Sequence, residues 1–317
     1  MVLHGPTVFT GNAHPDLARN ICSHLDRDLG KSNVFDFSNG NIFVQLQENV
    51  RERDVFIVQP AAQPVNDSFM ELLIMIDAAR RASAGRITAV MPFFPYGRSD
   101  KKDQPRVPIT ARLIANLVET AGASRILTMD LHAGQIQGFF NIPTDELSGL
   151  DLLATHFREH EFSGVVVAPD LGAAKRARNV ADMLKTPLAL SEKRRMSNDD
   201  SAQVLNLIGE VDGLDALIID DEVDTAGTLV EVATLLRAQG AREIYAAMTH
   251  GVLSGPAIER IDASPLKELV ITDTLPLPPE KQSPKITTVS VAPLLGEAIQ
   301  RIHDGRSVGE LFASSSS

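Results

Sequence analysis

Cysteine is nearly absent from this sequence. Cys22 is the only one in 317 residues, so no intrachain disulfide and no cysteine-rich metal site can form, and a reducing, cytoplasmic setting is expected. Positive charge is in deficit. There are 30 Lys+Arg against 41 Asp+Glu, a net charge of −11, which excludes the broad basic face of a sequence-independent nucleic-acid or anionic-membrane binder. A local cluster can still meet an anionic substrate. No apolar run approaches the ~18 residues of a membrane span, and residues 1–9 lack the basic-then-apolar order of a secretory leader. No G-x-G occurs, which removes the dinucleotide fingerprint. The Gly30-Lys31-Ser32 triplet fails as a phosphate loop because Leu25 stands where that pattern needs glycine. Residues 156–160 (HFREH) match a zinc-peptidase pattern, but no other element of such an enzyme accompanies them, so a solvated, charged helix end is the plainer expectation.

What is present is the material of a soluble globular protein, 44% apolar and 22% charged, long enough for about two domains. Short, nearly continuous Val/Ile/Leu runs occur at residues 54–59, 86–91, 125–130, 164–168, 215–220, 243–248 and 268–272. Such runs are expected of strands buried on both faces. Helix-period segments lie between them. Phe69, Leu72, Leu73, Ile76 and Ala79 share one face, and Leu229, Val232, Ala233 and Leu236 another, closed by Gly240. Thr110 is placed to cap a helix carrying Leu113, Ile114, Leu117 and Val118, with Gly122 at its end. Strand–helix alternation predicts an α/β fold of mostly parallel sheets. We expect an N-terminal domain over residues 1–146 and a C-terminal domain over 147–296. A final helix begins near Ala292, and residues 297–313 are expected to pack back on the first domain.

The segment with the most chemistry is 217–229, LIIDDEVDTAGTL. A buried strand runs into Asp220 and Asp221, then a turn of small residues (Asp224, Thr225, Ala226, Gly227, Thr228) opens a helix. Small residues let backbone N–H groups approach a phosphate, and the helix start adds its dipole. Two carboxylates beside it suit sugar hydroxyls or a metal. A helix cap with a spare acidic pair is the alternative on spacing alone.

This segment resembles the phosphoribosyl pyrophosphate loop of type I phosphoribosyltransferase folds. Residues 66–83 (NDSFMELLIMIDAARRAS), 107–111 (VPITA), 130–140 (DLHAGQIQGFF), 192–195 (EKRR), 254–257 (SGPA) and 294–299 (LLGEAI) narrow the likeness. Together they resemble the ribose-phosphate pyrophosphokinase family over roughly the whole chain, with the motifs in the family's order. The resemblance implies two tandem type I phosphoribosyltransferase-like domains, each a mostly parallel sheet flanked by helices. It implies transfer of the pyrophosphoryl group of ATP to the C1 hydroxyl of ribose 5-phosphate, with Mg2+ as cofactor. It also implies a homo-oligomer, a hexamer or a smaller even assembly. A regulatory, non-catalytic homologue and a phosphoribosyltransferase remain as alternatives.

Residue by residue, the resemblance puts Asp220, Asp221, Asp224, Thr225, Ala226, Gly227 and Thr228 on ribose 5-phosphate. Lys193 and Arg195 become the catalytic cations, with Arg195 also holding the sugar phosphate, and they share a face if their segment is extended. Asp130, His132 and Asp170 become the metal-side group, and His132 also touches the triphosphate. Asp130 and His132 would face one ligand if the chain there is extended. The loop from Pro169 resembles the family's pyrophosphate loop, with Ala173 where a second glycine is usual. That methyl is tolerable only if the backbone needs no positive φ. Phe37, Asn39, Asn41, Arg98, Ser99 and His132 fall on ATP. Here F-S-N-G-N replaces F-S-D-G-E and R-S-D replaces R-Q-D, so both hairpin acids are amides, which donate as well as accept.

Overall fold

The computed structural model describes residues 5–195 and 203–311, without the side chains of residues 193–195 and 203–205. Two compact units result. The first holds the described residues up to Ser148, Thr274–Pro276 and those from Ser290 onward; the second holds Gly149–Asp273 and Leu277–Val289.

In the first unit, strands β1 (Thr7–Thr10), β4 (Asp54–Val58), β5 (Arg86–Met91), β6 (Arg125–Met129) and β7 (Thr144–Leu147) form one sheet in that order, every pair parallel. Between β1 and β4 the chain makes helix α1 (Pro15–His24) and a separate antiparallel hairpin, β2 (Ser32–Asp36) and β3 (Ile42–Leu46). Helices α2 (Val65–Arg81) and α3 (Thr110–Ala121) bury Leu72, Met75, Ile76, Ile114 and Val118 against Phe9, Ile57 and Met91 of the sheet. Thr110 does not cap α3. It is the first helical residue, Ile109 holds the cap position, and no side-chain cap bond forms. Gly122 does end that helix, at φ +121°, a conformation L side chains rarely adopt.

The second unit alternates α4 (Leu150–Glu159), β8 (Gly164–Ala168), α5 (Ala174–Leu184), β9 (Leu188–Arg195), β10 (Gln203–Ile208), β11 (Asp215–Val223), α6 (Gly227–Ala238), β12 (Ile244–Gly251), α7 (Ala257–Ala263), β13 (Glu268–Thr272) and β14 (Ile286–Val289). Its sheet runs β10-β9-β8-β11-β12-β13-β14, parallel except for the β9–β10 pair. The period-2 alternation of strands sorts its core. Val165, Val167, Ala216 and Ile218 pack under α6 and α7, whereas Val166, Ala168, Leu217 and Ile219 pack under α4 and α5. Continuous apolar runs are therefore what these strands need.

The last helix, α8 (Ala292–Asp304), belongs to the first unit and packs on α1. Its end is held by hydrogen bonds, with Arg86 donating to the Ile302 and His303 carbonyls. Arg86 pairs with the fully buried Asp54, and His303 Nδ1 lies 2.9 Å from the same carboxylate. His156 departs from the solvated helix end expected of it. Its side chain is only 14% exposed, 3.7 Å from Glu268, and its ring stacks on His160. Burial lowers its pKa, with Glu268 opposing. Among the described residues no cluster of three or more His, Cys, Asp or Glu could hold a metal by itself, and no helix is long and apolar enough to cross a membrane.

Candidate active site

The strand order of the second unit reverses at one place. From β8 the chain passes through α5 to β9 on one side, and β11 lies on the other, parallel to β8. In open α/β sheets the crevice beyond the carboxyl ends of strands at such a reversal is where ligands bind. Three segments reach that edge together: the β8–α5 loop with Asp170, the end of β9 with Lys193 and Arg195, and the end of β11 with Asp220 and Asp221 running into the turn from Asp224 to Thr228.

In the β11–α6 turn Thr225 and Thr228 are exposed. Ala226 holds the cap position of α6 in the left-handed region (φ +59°), and no side chain caps the helix. The residue at the cap position thus supplies no acceptor to the first N–H groups of α6, so the side-chain cap expected on spacing alone is not found there. A Cβ built on Gly227 would sit 3.6 Å from Arg260 Nη1 and 3.8 Å from Thr225 Oγ1. Outside the turn, Ser254 Oγ donates to Asp224 Oδ1, its N–H donates to Asp224 O (3.0 Å), and Arg260 Nη1 donates to Thr225 O (2.9 Å). Residues 254–260 are therefore a brace for the loop.

Asp220 and Asp221 sit inside β11, which continues to Val223. Asp221 is buried and the Asp220 side chain is 24% exposed. Burial first, and then its neighbour Asp221, push the Asp220 carboxyl up to about 8, while Arg176 pulls the other way. Arg176 Nη1 lies 3.3 Å from Asp220 Oδ1 and 3.5 Å from Asp221 Oδ1. Sequence reasoning gave Arg176 no role. The one available signal was its place in the turn of a basic pair after small residues.

At the β8–α5 loop, Asp170 Oδ1 accepts from Ala173 N–H at 3.0 Å. Ala173 has φ −82° and is buried, so the methyl in place of glycine meets the condition set for it. Lys193 and Arg195 have extended backbone in β9, opposite Leu205 and Gln203 of β10. Their side chains lie outside the described ones.

The remaining candidates belong to the first unit. Arg98 and Ser99 follow β5, and Asp130 and His132 follow its parallel neighbour β6. A Cβ built on Gly97 would be 3.3 Å from His132 Cβ, so these two loops are in contact. Gln135 donates to Asp100 and holds them together. The extended geometry expected to align Asp130 with His132 is not found. Strand β6 stops at Met129, and Asp130 has φ +33°. Its Oδ1 accepts from Ser148 Oγ at 2.8 Å.

Phe37, Asn39 and Asn41 form a second group at the exposed tip of the β2–β3 hairpin. Phe35, Phe37 and Phe43 pack edge-on and tilted, with centroids 4.9–5.9 Å apart, and Phe37 remains 48% exposed. Asn39 Oδ1 accepts from Asn41 N–H (3.0 Å), so its one good acceptor already serves the turn.

Donors of the kind a divalent cation takes are present in each unit: the Asp130 carboxylate and the His132 ring in the first, and the Asp170 carboxylate in the second. Carboxylate oxygens are the ligands Mg2+ prefers, and that ion usually takes only one or two of them and completes its shell with water and substrate phosphate.

Comparison with known proteins agrees over the full length. A family model described as the N-terminal domain of ribose phosphate pyrophosphokinase matches residues 6–122, and one described as phosphoribosyl synthetase-associated domain matches residues 196–313. A ribose-phosphate pyrophosphokinase of Caldanaerobacter subterraneus subsp. tengcongensis is 54% identical over 307 residues, 96% of this chain and 97% of its own. One from Oceanobacillus iheyensis is 52% identical over 306 residues, 96% of both. The crystal structure of phosphoribosylpyrophosphate synthetase from Mycobacterium smegmatis is 42% identical with a TM-score of 0.90, covering 95% of this chain and all of that one.

Proposed function

The chain belongs to the ribose-phosphate pyrophosphokinase family, and on that footing we propose that it makes 5-phosphoribosyl 1-pyrophosphate from ATP and ribose 5-phosphate. The C1 hydroxyl oxygen of the sugar forms a bond to the β-phosphorus of ATP. The bond from that phosphorus to the α–β bridging oxygen breaks, AMP leaves, and the hydroxyl proton passes to water.

The observation that supports the reading is the meeting, at the reversal of one sheet, of a helix start whose cap residue has no side-chain bond, an adjacent acid pair of which Asp221 is buried, and a strand end carrying Lys193 and Arg195. The turn from Asp224 to Thr228 grips the 5-phosphate through main-chain N–H groups and the Thr225 and Thr228 hydroxyls. Asp220 and Asp221 accept hydrogen bonds from the ribose hydroxyls. Lys193 and Arg195 neutralise charge on the transferring group, which in phosphoryl-type transfer does most of the work together with positioning. Phe37, Arg98 and His132 contact ATP, the first two by stacking on the base. Asn39, Asn41 and Ser99 set how well the base is preferred. Asp130, His132 and Asp170 are the residues that would hold Mg2+, which supplies polarisation of the phosphoryl oxygens when bound with the triphosphate. A cytoplasmic homo-oligomer, hexamer or smaller and even, completes the proposal.

Phosphorus NMR of the protein with Mg2+, ATP and ribose 5-phosphate tests it. AMP and a sugar bearing a 1-pyrophosphoryl group, dependent on both substrates, are the expected products. Binding of both without turnover, with ATP or any other common triphosphate, would replace the reading with that of a regulatory homologue, for which Asn39 and Asn41 would be the physical reason.

A further inference from the structure

Helix α5 opens with the wrong charge. Its first turn has no acidic residue and instead carries Lys175 and Arg176, although the amino end of a helix favours anions. Lys175 is exposed, but Arg176 turns inward, with a side chain only 18% exposed. It leaves its own helix and ends between two residues of β11. Successive strand residues ordinarily direct their side chains to opposite faces. Here the Oδ1 atoms of Asp220 and Asp221 nonetheless both lie within reach of a single guanidinium nitrogen, at 3.3 and 3.5 Å. Asp220 Oδ1 also accepts from the N–H of Asp221 at 2.9 Å, which fixes that carboxylate from a second side.

A vicinal diol presents two hydroxyl hydrogens and is best held by two acceptor oxygens at fixed spacing. Neighbouring carboxylates that are partly out of water resist both being ionised, and a proton shared between them turns one acceptor into a donor. A guanidinium counters this. It keeps its charge at any ordinary pH, donates only, and its planar fork fixes the direction of what it touches. A lysine ammonium would supply the charge without the fork.

We propose that Arg176 is the positioning residue for the ribose diol: it acts through Asp220 and Asp221, and so sets the preference for ribose 5-phosphate over 2-deoxyribose 5-phosphate. The proposal rests on the reading of that acid pair as the diol acceptor. The 5-phosphate grip, formed by a different segment, is left untouched by it.

The test measures calorimetric affinities of the wild-type protein and of Arg176→Gln, Arg176→Lys and Asp221→Asn for the two sugar phosphates, with steady-state KM, kcat and melting temperature alongside. In Arg176→Gln the affinity for ribose 5-phosphate should fall about tenfold, the size expected when a charge-assisted contact supporting a buried acceptor is lost. The 2-deoxy analogue should lose much less, so the ratio between the two sugars shrinks, KM for ribose 5-phosphate rises more than kcat falls, and KM for ATP stays within about twofold. Arg176→Lys should lie between the wild type and Arg176→Gln.

Equal loss for both sugars, or a change in melting temperature alone, would make Arg176 a structural ion pair and overturn the proposal; so would an Arg176→Lys variant no better than Arg176→Gln. Should Arg176→Gln fail to fold, the Arg176→Lys ratio decides by the same criterion. If Asp221→Asn leaves the ratio of the two sugars unchanged, or the wild type shows no preference between them, it is the acid-pair reading itself that falls.

Discussion

The two units use similar sheets in different ways. In the second, the strand order turns back at β8 and β11, and the candidate sugar-phosphate groups gather at that one edge. In the first, the order β1-β4-β5-β6-β7 runs in one direction without a reversal. Its candidates come from two contacting loops after β5 and β6 and from a separate hairpin. The chemistry differs too. On the proposed reading the turn at 224–228 would bind with main-chain N–H groups, and it needs only small residues and one left-handed position, which Ala226 supplies. The nucleotide side, on the same reading, would bind with side chains, several of them exposed. The amide and hydroxyl side chains Asn39, Asn41 and Ser99 lie on this side. A site made of backbone is held constant by its geometry, whereas a site made of side chains changes with each substitution.

Four experiments sharpen or break that contrast. The largest effect is expected at Lys193. Lys193→Ala should lower kcat by about 10²–10³, the range for losing one preorganised charge at the transition state, with KM for ATP nearly unchanged in steady-state assays. Unaltered turnover would remove β9 from the site. Next, Asp221→Asn should cut kcat/KM for ribose 5-phosphate by about 10², because a site built to pair hydroxyls loses an acceptor. It should leave ATP affinity, measured by calorimetry, within about twofold.

The third effect is a pH dependence with opposite signs in two measurements. The Asp220 carboxyl is raised to about 8 in the fold, mainly by burial, against about 3.9 in an unfolded chain. The folded form therefore holds the proton more tightly, and its stabilising share is complete below the unfolded value. That share is lost as pH rises between the two values and is gone above about 8. The melting temperature of the free protein should fall over this window less steeply in Asp220→Asn than in the wild type. Affinity for ribose 5-phosphate should instead climb as pH approaches 8, as the carboxylate becomes an acceptor. The smallest effect is on the hairpin. Asn39→Asp and Asn41→Asp should each change KM for ATP only a few-fold, since one exposed neutral hydrogen bond becomes charge-assisted. A change of 10² in either would mean that the side-chain site is less tolerant than the contrast holds.

Much of the fold was legible because the central strands are buried on both faces. The runs at residues 86–91, 164–168 and 268–272 coincide with β5, β8 and β13. Edge strands gave no such signal. β7 reads TDEL and β2 reads SNVFD, short polar segments whose pairing is decided by tertiary context. In the site, the turn at 220–228 could be read because its strand, acids, small residues and helix are contiguous. Arg176 could not be assigned, since its partner Asp220 lies 44 residues away. The extended-chain argument for Asp130 failed for a local reason: its backbone turns to positive φ where β6 ends, and Ser148 takes its carboxylate.

Hydrogen exchange of the full chain, with and without ribose 5-phosphate, tests the central assignment most directly. The sugar phosphate should slow exchange at the amides of residues 225–228 and at the end of β11, and leave the β2–β3 hairpin and the loops after β5 and β6 unchanged. Protection centred on the first unit, with residues 225–228 exchanging as in the free protein, would contradict the assignment of the uncapped α6 start as the sugar-phosphate site.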